Sequence, residues 1–157
     1  MPNGCGGTTN CGKCVTCFTA GTPIAMADGS TKPVEEVVAG DVVLSYDASS
    51  GELVQGNVER LLVHASTPVL VRINGDLTTT PEHRFFVNGD WIRADHLRIG
   101  DRLLGAQLTV GVDGSPTSHV KVARLEELPG GVTTYNLEVA PYHDYFAGGV
   151  LVHNIKQ

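Results

Sequence analysis

No run of apolar residues in this chain approaches the length a membrane-spanning helix needs, which argues against a membrane partner. Apolar residues recurring every 3.6 positions are almost absent too, which argues against a helical architecture. Basic residues are scarce: 11 Lys and Arg stand against 17 Asp and Glu, for a net charge of −6 and a pI near 5.4. That balance argues against a nucleic-acid-binding surface. Met1 is not followed by the basic and apolar regions of a signal peptide. Any export is therefore expected to come through a longer parent chain, and the compartment stays open. Cysteine is missing from residue 18 onward, so the folded body is not a disulfide scaffold.

What is present is one domain's worth of chain, 157 residues with 41% hydrophobic and 18% charged, enough to bury a core. All four cysteines, Cys5, Cys11, Cys14 and Cys17, crowd the first seventeen positions. Residues 1–16 carry glycines at 4, 6, 7 and 12 and little that is apolar, and are expected to form a flexible leader. At Cys17-Phe18 the texture changes, and a patterned domain runs from residue 17 to residue 154, with residues 155–157 flanking it. A single domain of this kind is expected to be a monomer.

From Thr22 onward the pattern is of short strands cut by turns. Asp28-Gly29 and Asn74-Gly75 are tight-turn signals. The runs from Val42 to Tyr46, Val58 to Val63 and Val69 to Ile73 are β-branched. The class is all-β. Sliding the chain by sixty positions lays Asp28-Gly29 on Asn88-Gly89, Val37 on Leu97, and Gly40-Asp41-Val42-Val43-Leu44 on Gly100-Asp101-Arg102-Leu103-Leu104. Several matches at one offset imply two related halves about a pseudo-twofold axis. Such a duplication would bring the two ends of the domain together.

Those ends carry the chemistry-bearing residues. The stretch from Tyr142 to Asn154 reads as an aromatic strand, a Gly148-Gly149 turn and an apolar strand that delivers His153-Asn154 to its tip. An asparagine amide can attack its own backbone carbonyl, closing a succinimide and cutting the chain after itself, with a histidine supplying the proton. At the other end, the sulfur of Cys17 can reach the carbonyl of Thr16 through a five-membered ring and convert that amide to a thioester. Thr80 and His83, three apart around Pro81, are suited to donate hydrogen bonds to the Thr16–Cys17 peptide.

Cys17-Phe18-Thr19-Ala20-Gly21-Thr22-Pro23-Ile24, Thr80-x-x-His83, Tyr135-Asn136-Leu137-Glu138-Val139 and Val150-Leu151-Val152-His153-Asn154 resemble, in order, the signature blocks of Hint domains. These are the self-processing modules of inteins, hedgehog autoprocessing domains and bacterial intein-like domains. The resemblance implies a horseshoe-shaped all-β fold and an N–S acyl shift at Cys17 assisted by Thr80 and His83. It also implies cyclisation of Asn154 assisted by His153 and His143, with no metal or organic cofactor. The substrate would be the domain's own flanking segments. No endonuclease is inserted, and only the short loop from Gly111 to Ser118 marks its usual place.

Two positions depart from the family pattern. Ile155 stands where a splicing intein has Cys, Ser or Thr, so transfer of the thioester to the downstream segment lacks a nucleophile. Cleavage is expected instead, with water or an external thiol or amine taking the thioester, as in bacterial intein-like domains. Asn136 stands where many members have Asp, and Asn cannot act as a base. The hedgehog branch fits less well, because its domains end without a catalytic Asn.

Other readings stay open at this point. Cys5, Cys11, Cys14 and Cys17 could together hold a metal on a catalytically silent Hint fold. A splicing intein with a non-standard acceptor is the second alternative. Cys14 and Cys17 also form a CxxC pair whose disulfide would block the nucleophile until reduced. His64, His96 and His119 lack motif partners and read as surface or satisfied histidines.

Overall fold

The structure, a computed structural model, describes residues 17–64, 69–106 and 117–153. The leader with Cys5, Cys11 and Cys14, most of the loop from Gly111 to Ser118, Asn154 and the three residues after it lie outside the described residues.

The described residues are strands and turns, with two single-turn 3-10 helices at Val34–Glu36 and Ala94–His96. The strands form two antiparallel sheets. One runs β9 (Asp90–Arg93), β8 (Arg84–Val87), β10 (Arg102–Ala106), β15 (Val150–His153), β14 (Asp144–Ala147), β2 (Pro23–Ala25) and β3 (Thr31–Pro33), with β11 (Thr117–Lys121) beside β10. The other runs β12 (Leu125–Pro129), β6 (Val69–Ile73), β7 (Leu77–Thr79), β1 (Phe18–Thr19), β13 (Thr134–Ala140), β5 (Glu52–His64) and β4 (Val42–Asp47). The first strand and the last lie in different sheets, so the sheets must meet for the chain ends to meet.

The sixty-residue repeat is present in the hydrogen bonds. Val38 N–H donates to Asp41 Oδ2 at 3.0 Å, and Arg98 N–H donates to Asp101 Oδ2 at 2.9 Å. Gly40 N–H donates to Val58 O at 2.9 Å, and Gly100 N–H to Val122 O at 2.8 Å. Both glycines hold φ near +100°, at 97° and 101°, a backbone that L side chains rarely adopt. The matching Gly-Asp dipeptides are thus one turn built twice.

Strands β14 and β15 are buried on both faces, which is why residues 144–153 read as nearly continuous apolar sequence. Tyr145 and Val152 point into the main core with Phe18, Phe85 and Leu137, while Phe146 and Leu151 point into a smaller one with Ala25 and Leu104. Each such Phe or Leu contributes roughly 1.5–3 kcal/mol by leaving water. Two contacts pin β4 onto β14 and so join the sheets. Ser45 Oγ donates to Asp144 O at 2.8 Å, and Tyr46 N–H donates to Asp144 Oδ1 at 2.9 Å. Gly56 permits this approach, since a Cβ there would collide with Ser45 and with Val139.

Candidate active site

Cys17 opens the described chain and is fully buried. Phe18, next to it, pairs with Thr79 on one side and Tyr135 on the other, so Cys17 enters the site between β7 and β13. Three hydrogen bonds clamp its backbone. Its N–H donates to Thr80 Oγ1 at 2.9 Å, and its carbonyl accepts from Thr79 Oγ1 at 3.1 Å and from Thr80 N–H at 2.9 Å. The Thr80 hydroxyl thus meets the Thr16–Cys17 peptide as the acceptor of its N–H; the expected donation to that peptide involves Thr16, which lies outside the described residues. Thr79 was missed from sequence, although alternation along β7 places its side chain inward. The Cys17 sulfur is disulfide-bonded.

The turn from Thr80 to His83 closes on itself, with His83 N–H donating to Thr80 O at 3.3 Å. The second 3-10 helix buttresses it: Ala94 N–H donates to His83 O at 2.8 Å and Asp95 N–H to Pro81 O at 3.0 Å. His83 is fully buried, with its ring centroid 4.3 Å from that of Phe18. Among the described residues neither ring nitrogen has a partner in good hydrogen-bond geometry, and only the Arg84 backbone comes close enough to favour the charged form. Burial, and secondarily the charge of His153, push its pKa down to about 3, so it is a neutral imidazole at physiological pH.

Asn136 lies one step along β13 from Tyr135, toward Cys17. Its Oδ1 accepts the Tyr145 hydroxyl at 2.7 Å and the Leu137 amide at 2.8 Å. Burial holds the Tyr145 phenol far above its ordinary range, so it stays a donor.

At the other end, β15 carries His153 to the same region. The ladder sets Arg93 opposite Arg84, Arg84 opposite His153, and His153 opposite Asp144, so four polar side chains share one face in a row. His153 is half-buried, and burial, then the charges of His143 and Arg84, hold it below the usual histidine range. His143 precedes β14 with φ of 59°. The Nδ1 atoms of His143 and His153 are both buried, without hydrogen-bond partners among the described residues. Asp144, between His143 and the Ser45 and Tyr46 contacts, is raised by burial to about 7. Arg84, Trp91 and Asp144 were not legible as site residues, because only the strand register brings them to His153.

The structure therefore places Cys17, Thr80 and His83 at one end and His143 and His153 at the other, with His83 and His153 near enough for their charges to interact. Asn154 lies outside the described residues. Among the described residues no group of three His, Cys, Asp or Glu side chains is placed to hold a metal.

Comparison with known proteins agrees with this architecture. A family model described as the pretoxin HINT domain matches residues 24–155, beginning after Cys17. A bacterial intein-like domain from Clostridium thermocellum is 29% identical, over 88% of this chain and 98% of that one, with a TM-score of 0.75. A DnaB intein from Synechocystis sp. PCC 6803 is 16% identical over 90% and 99%, with a TM-score of 0.76. An Ssp DnaB mini-intein variant, also 16% identical, covers 90% and 96% with a TM-score of 0.79. These two DnaB likenesses speak to the fold alone. No relative among curated proteins matches the chain.

Proposed function

The chain belongs to the pretoxin Hint domain family, and from that premise we propose that it cuts itself at both ends of the domain. The observation that carries the proposal is that the β8–β15 register sets Arg84 opposite His153, so that His83, the residue before Arg84, and His153 come from adjacent positions of two distant sequence blocks. Cys17, held by Thr79 and Thr80, lies beside His83 through Phe18.

In the first step the Cys17 thiolate attacks the Thr16 carbonyl carbon, the Thr16–Cys17 C–N bond breaks, and the freed nitrogen takes a proton. Thr80 Oγ1 is the side-chain atom bonded to that nitrogen, and His83, neutral, has one N–H to offer. Water or an external thiol or amine then takes the acyl group. In the second step Asn154 Nδ2 attacks its own carbonyl carbon and loses a proton, the bond to Ile155 breaks, and the departing amine gains a proton. His153 and His143 are the groups assigned to those transfers. Ile155 offers no nucleophile, so release of the flanks is the outcome, and ligation is not.

The disulfide at Cys17 favours a gate on the first step. A disulfide sulfur is no nucleophile, so an external dithiol must first supply two electrons and become oxidised. The Cys14–Cys17 pairing expected from the CxxC spacing, like the four-cysteine metal site, involves Cys14 outside the described residues. The test is intact mass over time, with and without dithiothreitol. Thiol-dependent loss of residues 1–16 and loss of residues 155–157 are expected. A full-length mass under both conditions would overturn the reading in favour of a silent fold.

A further inference from the structure

The His153 imidazole packs against an aromatic ring, and no hydrogen bond to its Nδ1 is present among the described residues. A histidine that moves protons is ordinarily oriented by a bond to its second nitrogen. Here Nδ1 is buried and, among the described residues, unpartnered. Asp144, across the ladder from His153, is engaged with Tyr46 instead. What His153 touches is the Trp91 indole, with ring centroids 4.7 Å apart and planes at 71°. Edge-to-face ring pairs at this spacing prefer one relative orientation.

Trp91 is itself fixed. It pairs with Phe86 across β8 and β9, with ring centroids at 4.9 Å, and Phe86 lies 5.9 Å from Tyr46. These rings pack on the small core of Leu104, Phe146 and Leu151. The indole also lines an open groove of about 500 Å³ together with Arg84, Arg93 and His96.

We propose that Trp91 is a positioning residue whose indole sets the plane of the His153 imidazole, and through it the rate of cleavage after Asn154. The proposal rests on the self-cleavage reading above. The titratable and charged groups around the pair are His143 before β14, Asp144 on it, Arg84 on β8, Asp90 and Arg93 on β9, His83 in its turn, His96 on the second 3-10 helix, and Arg98 and Asp101 after it.

The chain has a single tryptophan, so it carries its own probe. Imidazolium quenches indole emission by excited-state electron transfer, and neutral imidazole does so weakly. In the Asn154→Ala chain, which stays intact at that bond, emission should rise with pH at a midpoint below 6.5. His153→Gln should remove that transition, and His96→Gln should leave it. In the chain with Asn154 present, Trp91→Leu should slow C-terminal cleavage on the order of tenfold relative to cleavage before Cys17. Trp91→Phe, which keeps an aromatic ring, should slow it less than about threefold. A transition that survives His153→Gln, or a Trp91→Leu chain with an unchanged ratio of the two cleavages, would overturn the proposal. A native chain that never loses residues 155–157 overturns the self-cleavage reading itself, and the proposal with it.

Discussion

The amide of Cys17 donates to the hydroxyl of Thr80 at 2.9 Å, so the nitrogen that must leave in an acyl shift is held by the side chain expected to activate it. The same residue's backbone N–H holds the Cys17 carbonyl. One threonine therefore grips both sides of the nucleophile's own backbone.

Thr80→Val keeps the shape and removes the oxygen. The buried Cys17 N–H loses that acceptor, at a cost of about 1–3 kcal/mol. Cleavage before Cys17 should fall on the order of 10²-fold, while Thr80→Ser should keep most of it. Intact mass after thiol addition reads both.

Asp144 and His83 should drive stability in opposite directions with pH. Asp144 is raised from 3.8 to about 7, first by burial and then by the charge of Asp47, against the Tyr46 and Ser45 hydrogen bonds. Its contribution is fully present below pH 3.8 and is lost as pH rises through 7. His83 is lowered from 6.5 to about 3, so its contribution is present above 6.5 and is lost as pH falls through 3. Each slope approaches about 1.4 kcal/mol per pH unit, and between pH 4 and 6.5 they offset each other. Urea unfolding in an Asn154→Ala background should therefore climb only gently with pH over that range, through His153 and His64, which are also lowered by burial. Asp144→Asn should make stability climb with pH, and His83→Gln should make it fall. Parallel curves for all three would sink this account.

Gly56→Ala should destabilise by about 1–3 kcal/mol, because a Cβ there meets Ser45 and Val139 and prises β4 from β14. The result would appear as a lowered melting temperature. Ala at Gly29, which has open space but a φ of 91°, should cost less, through backbone strain alone.

Tyr145→Phe removes the donor to Asn136 Oδ1, which keeps the Leu137 amide. A loss of about 1 kcal/mol is expected by chemical denaturation. Asn136→Asp in the Tyr145→Phe chain, with only the Leu137 amide left to donate, should recover none of it.

Much of this protein was legible before any coordinates. Turn chemistry is local, so Gly40-Asp41 and Gly100-Asp101 announced the same turn, and the sixty-residue offset between them announced the duplication. The alternation of β-branched residues announced strands, and the end residues Cys17 and His153 stood out by chemical type. The register between strands distant in sequence could not be read. A carboxyl such as Asp144 looks like any turn acid until β4 covers it, and burial alone then moves it to about 7. Arg84 and Trp91 belong to a hairpin with no evident motif, and only pairing of β8 with β15 sets them against His153. Thr80 was identified by spacing, yet whether it donates or accepts depended on the direction of the Cys17 N–H. Sequence determined which groups were available and where the chain would turn. Tertiary structure decided which groups lost water, which faced one another and which way each hydrogen bond ran, because desolvation and direction are properties of contacts between distant segments.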